Sequence, residues 1–166
     1  MITIPTDLPS AELNLLAGLD ARGEPVFEKV FTAVEKTDEH FRLLHSPMFV
    51  RGVAKGDLIE PMKNRRGEFN VIERSGVLAI RVLAKAGLDR IEQNLTPEME
   101  KLGGAKDIQQ ARGLVYSIHF AVGFQTLEKL FDQYVDGQNS VWQYGNVYDP
   151  KTGEPLNWWD DLLKIS

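Results

Sequence analysis

Four side chains have the types and placement to act on a ligand together: Glu73, Arg74, Arg81 and His119. Glu73 and Arg74 end the strand-like run Glu68–Arg74, just before Ser75 and Gly76, and Arg81 interrupts the apolar run Val77–Leu83. An ionisable group inside an apolar strand either reaches a sheet rim or is held by a carboxylate, for which Glu73 is the candidate. His119 follows Ser117 by two residues, so a strand puts both on one face. A Ser–His pair points toward hydrolysis. A nucleophile, however, needs a base, an orienting group and oxyanion donors together, and no Gly-x-Ser-x-Gly elbow accompanies this pair. The four residues are therefore candidate ligand contacts, and no residue is given a catalytic role.

Metal chemistry has still less to work with. The histidines are His40, His45 and His119, there is no cysteine, and no three donors stand at ligand spacing. No metal and no cofactor are expected. Asp57, directly after Gly56, reads as a turn device and not as one of a catalytic pair. The net charge of −5 disfavours attraction to phosphate backbones and anionic lipid. The basic stretch Lys63–Arg66 before Gly67 is too narrow for a nucleic-acid footprint and reads as an exposed tip. No stretch is long and apolar enough for a membrane span, and the amino terminus has no basic leader, so a cytoplasmic bacterial protein is expected.

These residues must be positioned by the elements around them. Residues 1–23, with Pro5, Pro9, Gly18 and Gly23, predict a partly ordered lead-in, in which Ser10 could cap a short helix. Val26–Val34 is rich in β-branched and aromatic residues, a polar turn follows at 35–39, and His40–Leu44 completes an antiparallel hairpin. Leu58–Met62 is a further strand, placed at a sheet edge because Pro61 has no N–H for a ladder. Glu68–Arg74 and Val77–Leu83 read as a hairpin around Ser75-Gly76.

Beyond Gly87 the period becomes helical. Leu88, Ile91, Leu95, Met99 and Leu102 mark one helical face, with a break into two helices expected at Thr96-Pro97. A polar link leads to a strand at Gly113–Val122, a helix through Phe124–Val135 and a last strand at Ser140–Tyr144. The tail, 148–166, reads as a loop and a short helix capped by Asn157, with Trp158 and Trp159 packing it onto the body.

The middle of the chain also carries a resemblance. Pro47, Phe49, Gly52, Gly56, Asp57, Val71, Ser75, Gly76, Arg81 and Val82 follow a pattern of proline, phenylalanine, Gly-x-x-x-Gly-Asp, Ser-Gly and Arg-Val. This resembles a bacterial domain family of unknown function, and it implies an architecture without implying an activity.

The expected fold is α+β: a β-rich half, 24–84, forming a curled antiparallel sheet or small barrel, then a β-α-β-α-β sandwich over 77–147, in a single domain spanning 1–166. The expected function is a non-catalytic protein-binding module. Acidic charge and aromatic residues near the end suit a protein partner, such as the toxin that an immunity-type protein neutralises. The alternative is a small-molecule-binding protein or small hydrolase with a cleft near Arg81 and His119.

Overall fold

The computed structural model describes residues 9–35 and 39–165. Their strands form two antiparallel sheets, neither closed into a barrel. The first sheet is a meander of β1 (Ser10–Leu19), β2 (Pro25–Glu35), β3 (His40–Leu43), β4 (Leu58–Pro61) and β5 (Phe69–Glu73), each hydrogen-bonded to the next. The second contains β6 (Val77–Ala84), β7 (Ala105–Gln110), β8 (Gly113–His119) and β9 (Ser140–Tyr144) in the order β7-β8-β6-β9. Helices α1 (Leu88–Lys101), α2 (Phe124–Tyr134) and α3 (Trp158–Ile165) follow the first sheet in the chain. The class is α+β with a β-rich first half, as the patterning predicts.

The layers explain the patterning. One face of the second sheet, with Leu78, Ile80, Val82, Leu114, Tyr116 and Ile118, buries against Leu95 and Met99 of α1 and Leu127 and Phe131 of α2. Its other face, through Val77 and Ala79, meets Ala54 of the segment 44–57. Val50 and Val53 of that segment pack with Val30, Leu43 and Ile59 of the first sheet. The segment thus fills the space between the sheets. With both faces of β6 covered, its near-continuous apolar run needs no polar alternation.

Several local expectations are overturned, each by tertiary context. Residues 10–19 are not a lead-in or a capped helix: they form β1, in register with β2 from Ser10 opposite Ala33 to Leu19 opposite Pro25. Leu15 is 2% exposed, so this strand contributes to the core. Residues 1–8 of the expected lead-in and 36–38 of the expected turn lie outside the described residues. Strand β4 is interior, between β3 and β5, and Pro61 is accommodated because it is the last residue of the strand.

Ser75-Gly76 is not a hairpin turn. Here the chain leaves the first sheet and enters the second, anchored by the Ser75 N–H donating to Asp57 Oδ1 at 2.8 Å and by Ser75 Oγ donating to the Lys55 carbonyl at 2.7 Å. Gly76 has φ of 89°, and a Cβ there would lie 2.7 Å from Nε2 of His119, so both backbone and space require glycine.

Helix α1 continues through Pro97. The proline removes one N–H and costs about 3 kcal/mol in a helix interior. Fully buried Leu95 and Met99 on either side contribute about 2–3 kcal/mol each and outweigh that loss. Thr96 is not a cap: its hydroxyl lies 2.7 Å from the buried Tyr116 hydroxyl. The polar link is strand β7, an edge strand with a bulge between Lys106 and Ile108. Finally, 120–122 forms a 3-10 turn after β8, not the end of a strand.

Candidate functional site

The four sequence-derived residues occupy separate places. Glu73, at the end of β5, lies 3.5 Å from Nη1 of Arg42, a buried guanidinium that Glu35 grips through both oxygens. Arg74 donates from Nη1 to the Gly52 carbonyl at 2.6 Å, lies 3.5 Å from buried Asp57, and faces the Trp158 ring at 5.9 Å. Burial pushes the Arg74 guanidinium down from its ordinary pKa, with Asp57 opposing. His119 accepts from the Ala121 N–H through Nδ1 and stacks 4.9 Å from Phe120, and burial pushes its imidazole down as well. His119 stands opposite Val77, four residues along β6 from Arg81, or about 13 Å at strand rise.

Arg81 is not held by Glu73. It is 4% exposed and reaches between the sheets, donating to the carbonyl of Val50 at 3.1 Å and, at 3.4 Å, to that of Phe49. Its Nε has no acceptor. Burial pushes its pKa down to about 10, nearby Arg51 adds to the effect, and Glu28 opposes it. Glu28, from β2, grips the same stretch from the other side, accepting from the N–H groups of Met48, Phe49 and Val50 at 2.7, 2.8 and 2.9 Å. Residues 48–50 are thus clamped by a carboxylate of one sheet and a guanidinium of the other.

Ser117 is likewise structural. The bulge in β7 turns Asp107 so that Oδ2 accepts from the Ser117 hydroxyl at 2.5 Å and the Ser46 N–H at 2.7 Å. Ser46 and Ser117 share a further bond of 2.6 Å. Both hydroxyls are buried, and that of Ser117 is bonded to Asp107 and Ser46.

An open cavity of about 510 Å³ lies elsewhere, against strand β9. Helix α2 lends it Glu128 and Asp132, four residues apart and so on one helical face. Strand β9 lends Trp142 and Tyr144, two apart and so on one strand face. The following loop adds Tyr148 and Asp149, and Arg51, next after the clamped residues 48–50, lines it as well.

The wall is held by its own bonds. Trp142 Nε1 donates to Asp132 at 2.8 Å, and the Tyr144 hydroxyl donates to Glu128 at 3.0 Å. Trp142 and Tyr144 meet edge to face at 5.2 Å. Gly145 closes the back: a Cβ there would lie 2.7 Å from Nη2 of Arg81, so the inter-sheet clamp and the cavity share a wall.

A family model for a domain of unknown function, DUF4265, matches residues 29–144, from within β2 to the end of β9. The chain belongs to the DUF4265 family. Among solved structures, this DUF4265 protein is similar to a hypothetical protein from Neisseria gonorrhoeae, with 16% identity and a TM-score of 0.64, covering 82% of this chain and 94% of that one. That likeness is one of fold. No curated protein sequence matches the chain.

The DUF4265 match takes in Arg51, Glu128, Asp132, Trp142 and Tyr144, while Tyr148 and Asp149 lie beyond it. Among the described residues, Glu128, Asp132 and Asp149 take part in no ion pair. Burial, reinforced by the bond to Glu128, raises the Tyr144 pKa well above the ordinary phenol range, so its hydroxyl stays a neutral donor. The cavity therefore sets three carboxylates against one guanidinium, Arg51, beside aromatic rings, a net negative and aromatic lining that attracts a cation by Coulomb and quadrupole forces together. Among the described residues no group of three His, Asp or Glu side chains is placed to hold a metal ion. No helix among them is long and apolar enough to cross a membrane.

Proposed function

We propose that this DUF4265 protein is a non-catalytic binding module, and that its cavity beside β9 holds a cationic side chain of a partner protein. The observation that carries the reading is the set of three carboxylates without basic partners, Glu128, Asp132 and Asp149, beside Trp142, Tyr144 and Tyr148. A lysine or arginine entering there gains ring contact and charge pairing with the carboxylates, against which the single lining cation, Arg51, acts. Neutralisation of a toxin with a basic active site, the immunity-type activity anticipated from the acidic composition, uses this same chemistry. A cysteine-free chain has no disulfide to lose in a reducing compartment.

The test is a pull-down from the native host with the wild type and the double variant Glu128→Gln/Asp132→Asn. Both replacements keep an oxygen for the Tyr144 and Trp142 donors, so the fold stays and only charge is lost. One basic protein should be retained by the wild type, released at high salt, and bound about tenfold more weakly by the variant. Retention that ignores both salt and the variant defeats the reading. A small molecule that stabilises the fold, and loses that effect in Arg81→Ala or His119→Ala, moves the assignment to the ligand-binding alternative.

A further inference from the structure

We infer that the partner presents its cationic side chains from an extended segment that adds to β9 as a new antiparallel strand of the second sheet. The inference rests on the binding reading above and supplies its mode.

The register of β9 shows which of its main-chain groups are free. Gly145 N–H donates to the Ala79 carbonyl at 2.7 Å, and Lys85 N–H donates to the Asn139 carbonyl at 2.8 Å. The hydrogen-bonded pairs are therefore Ala79/Gly145, Arg81/Gln143, Leu83/Val141 and Lys85/Asn139, and the residues between them point their N–H and C=O groups away from β6. Those residues are Ser140, Trp142 and Tyr144. Asp136 Oδ1 lies 3.3 Å from the Ser140 N–H. Trp142 and Tyr144 keep both groups facing outward, and among the described residues no strand pairs with that edge.

The two residues with free main-chain groups also line the acidic cavity with their side chains. An added strand lies about 4.8 Å from β9, and side chains directly opposite one another share a sheet face. Partner residues opposite Trp142 and Tyr144 thus project toward Glu128 and Asp132, where basic side chains fit. The residue opposite Val141, which is 48% exposed, meets an apolar surface on the other face. The recognised segment therefore carries basic residues at alternate positions, with an apolar residue opposite Val141 and no apolar requirement opposite Gln143. Antiparallel addition matches every strand pair in the two sheets. Charge selects the occupant: a second copy pairing edge to edge sets like carboxylates against one another, whereas a basic strand neutralises them.

The experiment is a titration of the full chain with an acetylated, amidated heptapeptide alternating valine and lysine, followed by fluorescence of the tryptophans. Two further peptides carry backbone N-methyl groups, one at the lysines and one at the valines. In antiparallel addition the lysine N–H groups face β9 and the valine N–H groups face solvent. Lysine methylation should weaken binding about 10–100-fold, and valine methylation should leave it within about threefold. Equal tolerance of both methylations, or no binding of the unmethylated peptide at millimolar concentration, overturns strand addition and leaves the cationic reading to its own test. A peptide with glutamate for lysine that binds equally well overturns the cationic reading itself. A dimer in sedimentation that the lysine peptide dissociates identifies a second copy as the natural occupant and overturns the basic partner.

Discussion

Removing the carboxylate of Glu28 should loosen the join between the two sheets. Its oxygens accept from three successive N–H groups, those of Met48, Phe49 and Val50. Met48 and Val50 are each 1% exposed, whereas Phe49 is 49% exposed. In Glu28→Ala the Phe49 N–H finds water, but those of Met48 and Val50 are left with restricted access, each costing about 1–3 kcal/mol. Arg81 loses its supporting counter-charge as well, so the total should be about 3–5 kcal/mol. Glu28→Gln keeps one accepting oxygen and should cost about half as much. Equilibrium unfolding in urea, followed by far-ultraviolet circular dichroism at neutral pH, measures both. Because Arg81 grips the carbonyls of the same residues, Arg81→Met combined with Glu28→Ala should depart from additivity by at least about 1 kcal/mol. A loss under about 0.5 kcal/mol for Glu28→Ala, or additivity within about 0.3 kcal/mol, would refute the clamp.

Two further outcomes follow from the core. Burial pushes the Tyr116 hydroxyl up to about 12 from 10.0, so the folded chain keeps a proton that the unfolded chain releases. Its contribution is whole below pH 10 and is lost as pH rises toward 12, at up to about 1.4 kcal/mol per unit, and Tyr116→Phe should flatten urea midpoints measured across that window by one proton. Gly76→Val should destabilise by about 2–4 kcal/mol, since it adds a steric clash with His119 to the left-handed backbone, and His119→Ala should restore the clash share alone. A melting temperature unchanged in Gly76→Val would show that the crossing between sheets tolerates a side chain.

Periodicity carried the elements whose burial is one-sided. The helical faces of α1 and α2 and strand β9 are legible because apolar residues recur at the spacing of the face they bury, whereas the hairpin of β2 and β3, where Thr32, Ala33, Arg42 and Leu43 are all buried, is legible from its β-branched and aromatic residues. Strand β1 was hidden by its flanking prolines and glycines, although Leu13, Leu15 and Ala17 alternate correctly. Strand β7 has one large apolar residue, Ile108, and is held by main-chain bonds to β8, which no side-chain pattern records. Arg81 shows the same limit in the candidate site. Strand parity placed it on the face of Ala79, but its acceptors are carbonyls of residues 49 and 50, and backbone acceptors have no sequence signature. The cavity did leave two signals, Glu128 and Asp132 at i,i+4 and Trp142 and Tyr144 at i,i+2. Neither acquires meaning until α2 and β9 are known to be adjacent.

The strand order also sets how firmly each edge is tied into the chain. In the first sheet each strand from β2 onward pairs with its immediate predecessor, the longest link being residues 44–57 between β3 and β4. Strand β9 pairs with β6, and even after β8 has docked on β6, residues 120–139 must still be brought round. The logarithmic closure law puts roughly 2–3 kcal/mol of chain entropy on that last step. Pairing of β9 is therefore set against a sizeable loss of chain freedom. A strand laid along its open side would act as a latch on it, so that recognition and the closing of the fold become one event.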